Sequence, residues 1–259
     1  MARKIVISSG KGGVGKTTCC FFLGFFLANL GAKVVMVDVD IGLNNLDVVS
    51  GVDSKVMYDI VDIVDKKCRV RQALIRYEKN PLLYILPSAH SLNVGKVSAD
   101  ALKDIISELE RSFDYILIDC PAGIGKEFYR AVYMASEALI ITTPSLVAVR
   151  DANKVASLIS GCGISEIGLV VNRVRNDMVA KHLMLKPAEI ASSLELKLFG
   201  AIPESDEIVA LSSVQGDLSK VNDKSIAEFK AIALKIHNGF REQKSKGTFA
   251  LNFKRKGNV

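Results

Sequence analysis

Short aliphatic runs recur along the chain: KIVIS (4–8), KVVMVD (33–38), LLYILP (82–87), DYILID (114–119), ALIITT (138–143), IGLVVN (167–172) and LKLFGAIP (196–203). Several are apolar at nearly every position instead of every second one, the pattern of strands covered on both faces. Between them lie stretches with helical spacing. CCFFLGFFLANLG (19–31) carries no charge and predicts a helix buried all round, shorter than the roughly 20 residues a bilayer span needs. From about Lys224 to Phe240, the residues Ile226, Phe229, Ile232 or Ala233, Ile236 and Phe240 recur at three- and four-residue spacing, which predicts a helix with one core-facing stripe. Strands alternating with helices predict an α/β fold with a mainly parallel, twisted sheet flanked by helices on both faces.

With 259 residues, 49% of them apolar, the chain can bury a large core, and neither a Pro/Gly/Ser-rich linker nor an internal repeat divides it. The expected organisation is one domain over residues 1–240, followed by a tail at 241–259. Charge supports that division. The net charge is +6, yet residues 241–259 hold Arg241, Lys244, Lys246, Lys254, Arg255 and Lys256 against Glu242, so the rest of the chain is near neutral. Cys19, Cys20, Cys68, Cys120 and Cys162 form no C-x-x-C pair and lie far in sequence from His90, His182 and His237, so no metal cluster is expected. Cys19 and Cys20 read as small core residues in a reducing compartment. The opening MARKIVISSGKGG lacks the apolar segment of a secretory signal, and a cytoplasmic location is expected.

Candidate chemistry begins at GKGGVGKTT, residues 10–18. Gly10, Gly15, Lys16 and Thr17 complete the phosphate-loop pattern G-x-x-x-x-G-K-[ST], between a predicted strand and a predicted helix. Gly12, Gly13 and Gly15 let the chain curl so that backbone N–H groups, including those of Val14 and Thr18, converge on an anion. Lys16 adds a point charge, the Thr17 hydroxyl can ligate Mg²⁺, and the helix N-terminus adds partial positive charge. Ligands of parallel sheets bind beyond the carboxyl ends of the strands. There KVVMVD leads into VDIGLNNLD, with Asp38 and Asp40 two apart and Asn44, Asn45 and Asp47 beyond. A carboxylate here can orient a water toward a γ-phosphate or hold a Mg²⁺-bound water; equally, the stretch can be an Asx-rich turn capping a helix. Asp119 ends DYILID in the manner of the acid that supports Mg²⁺ in phosphate-loop NTPases, and Gly123 and Gly125 follow it.

KGGVGKTT with its extra lysine at position 11, DVDIGLNNLD (38–47) and DCPAGI (119–124) together resemble the deviant Walker A ATPases, and within them the MinD family of septum-site-determining ATPases. MYDIVDIV, QALI, LYILPSA, VRDANKV and GAIPES stand in MinD-like order and spacing. The resemblance implies ATP and Mg²⁺ as ligands, hydrolysis to ADP and phosphate, and a homodimer formed on ATP binding, with Lys11 reaching the partner's nucleotide phosphates. It also implies that Lys11, Lys16 and Asp40 are catalytic, that Thr17, Asp38 and Asp119 serve the metal, and that Asn45 lies near the phosphates. Asn172, Pro203 and Glu204 match the base-recognition region, and Asp151 matches an acid that engages the signature lysine outside the closed dimer. The implied partners are division inhibitor and activator proteins of the Min type and an anionic membrane on the inner face of the cell, with no specific nucleic acid. MinD-like chains end in an amphipathic membrane-binding helix. Here Phe249 and Phe253 are four apart beside Lys254, Arg255 and Lys256, but Leu251 falls off that face. The alternatives are a ParA-like DNA-segregation ATPase, which needs a basic face that the near-neutral domain lacks, and an FlhG-like flagellar-number regulator, which needs an N-terminal extension.

Overall fold

The computed structural model describes residues 1–42, 45–88, 97–214 and 224–239, with residues 211–214 described by backbone alone. Asn44, His90, Phe240 and the whole of 241–259, including Phe249 and Phe253, lie outside the described residues. In chain order the elements are β1 (Arg3–Ser8), α1 (Lys16–Asn29), β2 (Val34–Asp38), α2 (Leu46–Ser50), α3 (Ile60–Val64), α4 (Val70–Ala73), β3 (Ile75–Arg76) and β4 (Leu83–Leu86). There follow α5 (Ala99–Leu109), β5 (Tyr115–Asp119), α6 (Lys126–Tyr133), β6 (Glu137–Thr142), α7 (Leu146–Gly161), β7 (Ile167–Val174), α8 (Asn176–Ala180), α9 (Pro187–Leu194), β8 (Lys197–Pro203), α10 (Asp206–Val214) and α11 (Lys224–Asn238).

The strands form one eight-stranded sheet in the order β3-β4-β2-β5-β1-β6-β7-β8. All neighbours are parallel except β3 and β4. Each of the seven aliphatic runs is a strand, and the sheet is the α/β arrangement the pattern predicts. The two-residue β3 is an addition: two residues are too few to show a period, and the strand exists by pairing antiparallel to β4 at the sheet edge.

Strict alternation of side chains explains why the runs are apolar throughout. In β1, Val6 faces a core shared with α3 to α7 and α9, whereas Ile5 and Ile7 face a core shared with α1 and α11. In β2, Val35 and Val37 oppose Val34 and Met36, and in β5, Ile116 and Ile118 oppose Tyr115 and Leu117. Each strand thus needs apolar residues of both parities. Helix α1 is buried continuously from Cys19 to Ala28, because it is wedged between the sheet and α11. Phe22 stacks on Phe229 with ring centroids 4.7 Å apart. The α11 stripe is core, as its spacing predicts, with Ile226, Phe229, Ile232, Ala233 and Ile236 all buried.

The amino ends of the strands are tied to the end of α11. Arg3 bonds Glu137 across β1 and β6 at 2.8 Å and donates to the Ile236 carbonyl, and the Tyr115 hydroxyl pairs with His237 Nδ1 at 3.1 Å.

Candidate nucleotide site at the carboxyl ends of the strands

Parallel register assembles the opposite end. Asp38, last in β2, pairs with Asp119, last in β5, and Asp119 pairs in turn with Ile7 of β1. Three strand ends therefore deliver two buried carboxylates beside the loop that leaves β1. Residues 10–18 turn from β1 into α1, with Gly13 at φ 77° and Gly15 at φ 88°, the left-handed region glycine enters without strain. Gly10 is needed for a different reason: a Cβ there would lie 2.5 Å from the backbone of Asp151 in α7. Gly15 precedes α1 without a side-chain cap, and no acidic residue occupies the first turn. The first N–H groups of α1 and its positive dipole end thus remain available to an anion.

Lys16 lies in this first turn, only 8% exposed, with Nζ 2.9 Å from Asp119 Oδ1. Burial works against its ammonium, but the Asp119 charge and hydrogen bond outweigh that and leave its pKa above the ordinary lysine value. Asp119 is 1% exposed, and its Oδ2 has no hydrogen-bond partner among the described residues. Such an atom is costly unless something polar meets it.

Asp38 lies beside Asp119 at the strand ends, held by backbone. Its Oδ1 accepts from the N–H of Asp40 at 2.9 Å, and its Oδ2 accepts from those of Asn45 and Leu46 at 3.2 and 3.1 Å. Both oxygens accept from backbone, in an Asx turn that also ties down the start of α2, and a carboxylate oxygen that accepts one N–H keeps a lone pair for a metal-bound water. Burial and the neighbouring Asp119 charge push its carboxyl up to about 7. Asp40 is half-buried; burial first, with the charges of Asp119 and Glu127, raises its pKa against the pull of Lys16. Glu127, in the first turn of α6, is a neighbour that no motif in the sequence announces. No group of three or more His, Cys, Asp or Glu among the described residues is arranged to chelate a metal. The available donors, the orphaned Asp119 oxygen and the Thr17 hydroxyl, suit a Mg²⁺ that takes its remaining ligands from phosphate and water.

Lys11 is exposed, and its carbonyl accepts from the Ser9 hydroxyl at 3.0 Å. Asp151, expected near this lysine, meets the loop through its backbone at Gly10. Asn172, at the end of β7, donates from Nδ2 to the Val14 carbonyl at 2.8 Å, so it touches the phosphate loop directly. Pro203 and Glu204 line an open cleft of ≈ 380 Å³ with Val174, Arg175 and Asp177, at the ends of β7 and β8. Three cysteines are buried near the site. Burial pushes the Cys19 and Cys120 thiols up to about 12, and Cys20 well above its usual value.

A parallel sheet with an uncapped glycine-rich turn after β1, a buried Lys16 and acids at adjacent strand ends defines a phosphate-loop nucleotide-binding protein. A family profile described as an AAA domain (AAA_31) matches residues 2–163. The septum site-determining protein MinD of Bacillus subtilis is 42% identical over 215 residues, covering 82% of this chain and 80% of that protein. MinD of Thermotoga maritima is 39% identical over 239 residues, 91% of this chain and 88% of that protein. The chain belongs to the MinD family. Among solved structures, the MinD cell division protein of Aquifex aeolicus superposes with a TM-score of 0.84 at 32% identity, covering 92% of this chain and 98% of that one. MinD of Pyrococcus horikoshii, complexed with Mg-ADP, gives 0.82 at 30% identity over 91% of this chain and 96% of that one.

Proposed function

We propose that the protein is a Mg²⁺-dependent ATPase that dimerises on binding ATP and acts in placing the division septum, with its ATP form held at the membrane and released by hydrolysis. The observation that carries this reading is the uncapped start of α1 with Lys16 buried against Asp119, next to an exposed Lys11 in the same loop. One lysine is committed to the chain's own site, and the other is free in solvent to reach a second copy. A dimer facing itself across two nucleotides would concentrate phosphate charge at its interface, and a cation supplied in trans would offset that charge and tie association to the γ-phosphate.

In this scheme the loop residues Gly10 to Thr18 bind the phosphates and Asn45 lies near them, while Asn172, Pro203 and Glu204 lie on the base side. Thr17 and Asp119 would hold Mg²⁺, which when bound supplies charge neutralisation on the phosphate oxygens. The role of Asp38 is to hold the segment carrying Asp40 and Asn45 in shape. Asp40 orients a water whose oxygen bonds to the γ-phosphorus while the bond to the β-phosphate oxygen breaks, yielding ADP and inorganic phosphate. The Mg-ADP complex of the P. horikoshii relative supports nucleotide and metal, and the MinC:MinD complex of A. aeolicus supports a MinC-type partner. No helix among the described residues is long and apolar enough to cross a membrane. Membrane contact is assigned to the tail on its concentration of Lys and Arg, doubled by dimerisation.

The test is recruitment to anionic vesicles with ATP or ADP. The full chain with ATP is expected to sediment with the vesicles, and the ADP form and a chain truncated after Phe240 are expected to stay behind. Asp40→Ala should bind vesicles with ATP and persist there while phosphate release falls by about 100-fold or more. Equal sedimentation with and without the tail, or undiminished phosphate release by Asp40→Ala, would contradict the scheme.

A further inference from the structure

Strand β7 leaves regular pairing before it ends. Its register with β8 shifts between Leu169 and Val170 and again between Val171 and Val174, and Arg173, inside the second irregularity, has φ 56°. A left-handed arginine is uncommon, and a bulge at a strand end commonly re-aims the adjacent side chain. The side chain beside it is Asn172. β6 separates β7 from β1 in the sheet, yet Asn172 Nδ2 reaches the Val14 carbonyl inside the loop that follows β1, at 2.8 Å. The fit is close. A Cβ on Gly15 would come 2.5 Å from the same Nδ2, and Val14 is itself anchored, 5% exposed in the core beside α1.

The geometry points to Asn172 as a positioning residue of the phosphate loop, in addition to any contact with the base. A trans peptide is planar, so its C=O and the following N–H point in opposite directions. Holding the Val14 carbonyl toward Asn172 therefore turns the Gly15 N–H the other way. The bond prevents the Val14–Gly15 peptide from flipping, which would present a carbonyl oxygen to an incoming anion. Glycine at position 15 leaves this peptide free to rotate, and the Asn172 amide removes that freedom before ligand arrives; donors fixed in advance cost no reordering on binding. The same bond joins the end of β7, on the base side, to the phosphate side of the site.

This inference rests on the reading of residues 10–18 as a phosphate cradle, and the test separates the two. Asn172→Ala and Asn172→Ser both remove the amide without adding volume beside the loop; the side chain is only half-buried, and unfolding midpoints check that both variants fold. Affinities of the full-length proteins are measured for ATP and for inorganic tripolyphosphate, which has no base. Hydrogen exchange of amides 10–18 is followed without ligand. Loss of a positioning hydrogen bond predicts about fivefold weaker binding of tripolyphosphate as well as ATP, and faster exchange of the loop amides in both variants. If ATP binding weakens while tripolyphosphate binding and loop exchange match the unmutated protein, Asn172 serves the base alone and the inference is overturned. If the unmutated protein binds neither compound, the function reading fails, and loop exchange in the unliganded proteins still decides whether Asn172 holds the loop.

Discussion

The two ends of the sheet carry similar chemistry and treat it in opposite ways. At the amino ends, Arg3 is matched to the Glu137 carboxylate, the Ile236 carbonyl and the face of Tyr115, whose hydroxyl meets His237. At the carboxyl ends, Lys16 has Asp119 as its carboxylate partner, Asp119 keeps an oxygen without a partner among the described residues, and Asp38 is crowded by a like charge. Two glycines of the loop and Arg173 take left-handed backbone there. One end ties α11 to the sheet through matched partners; the other leaves the buried Asp119 Oδ2 without a hydrogen-bond partner among the described residues.

Breaking the buried pair gives the largest expected effect. With Lys16→Met, Asp119 stays buried without its cation, and unfolding in denaturant at neutral pH should show a loss of about 3–5 kcal/mol, together with the loss of ATP binding. Opening the other end costs less. The Arg3 and Glu137 side chains are 25% and 14% exposed, so Arg3→Ala should cost about 1–3 kcal/mol and leave ATP affinity, measured by titration calorimetry, unchanged. A variant that lost affinity as well would show that the two ends are not independent.

A further effect concerns pH. The Asp38 carboxyl is raised from 3.8 to about 7, so the folded chain favours its neutral form. The stability associated with that group is fully present below the unfolded value, declines as pH rises from about 4 toward 7, and is flat above. Asp38→Asn should flatten this part of the stability profile of the nucleotide-free protein in thermal unfolding. An unchanged slope would remove Asp38 from the strained end.

Much of this contrast was readable from the chain. Runs apolar at both parities marked strands with two covered faces, and an uncharged run after Thr18 marked a helix buried all round. GKGGVGKTT placed the loop, because each residue type there answers a local demand of phosphate binding. Asp38 was ambiguous, since an acid after a strand can serve a metal or a turn with the same letters, and its bonds to the Asn45 and Leu46 amides join residues seven and eight apart that no local pattern pairs. The hold of Asn172 on Val14 had no local signal, as it joins residues 158 apart through the order of strands and a slipped register. Glu127 reaches Asp40 in the same non-local way. β3 was too short to register as a period.

In the proposed scheme the carboxyl end of the sheet is completed by a second copy of the chain, through Lys11. Sedimentation velocity with Mg²⁺ and ATP, comparing the unmutated protein, Lys11→Ala and Lys16→Ala, tests it most directly. The unmutated protein should dimerise with ATP and not with ADP, Lys11→Ala should bind ATP yet remain monomeric, and Lys16→Ala should bind no nucleotide. A Lys11→Ala protein that dimerised with ATP as readily as the unmutated chain would contradict the account.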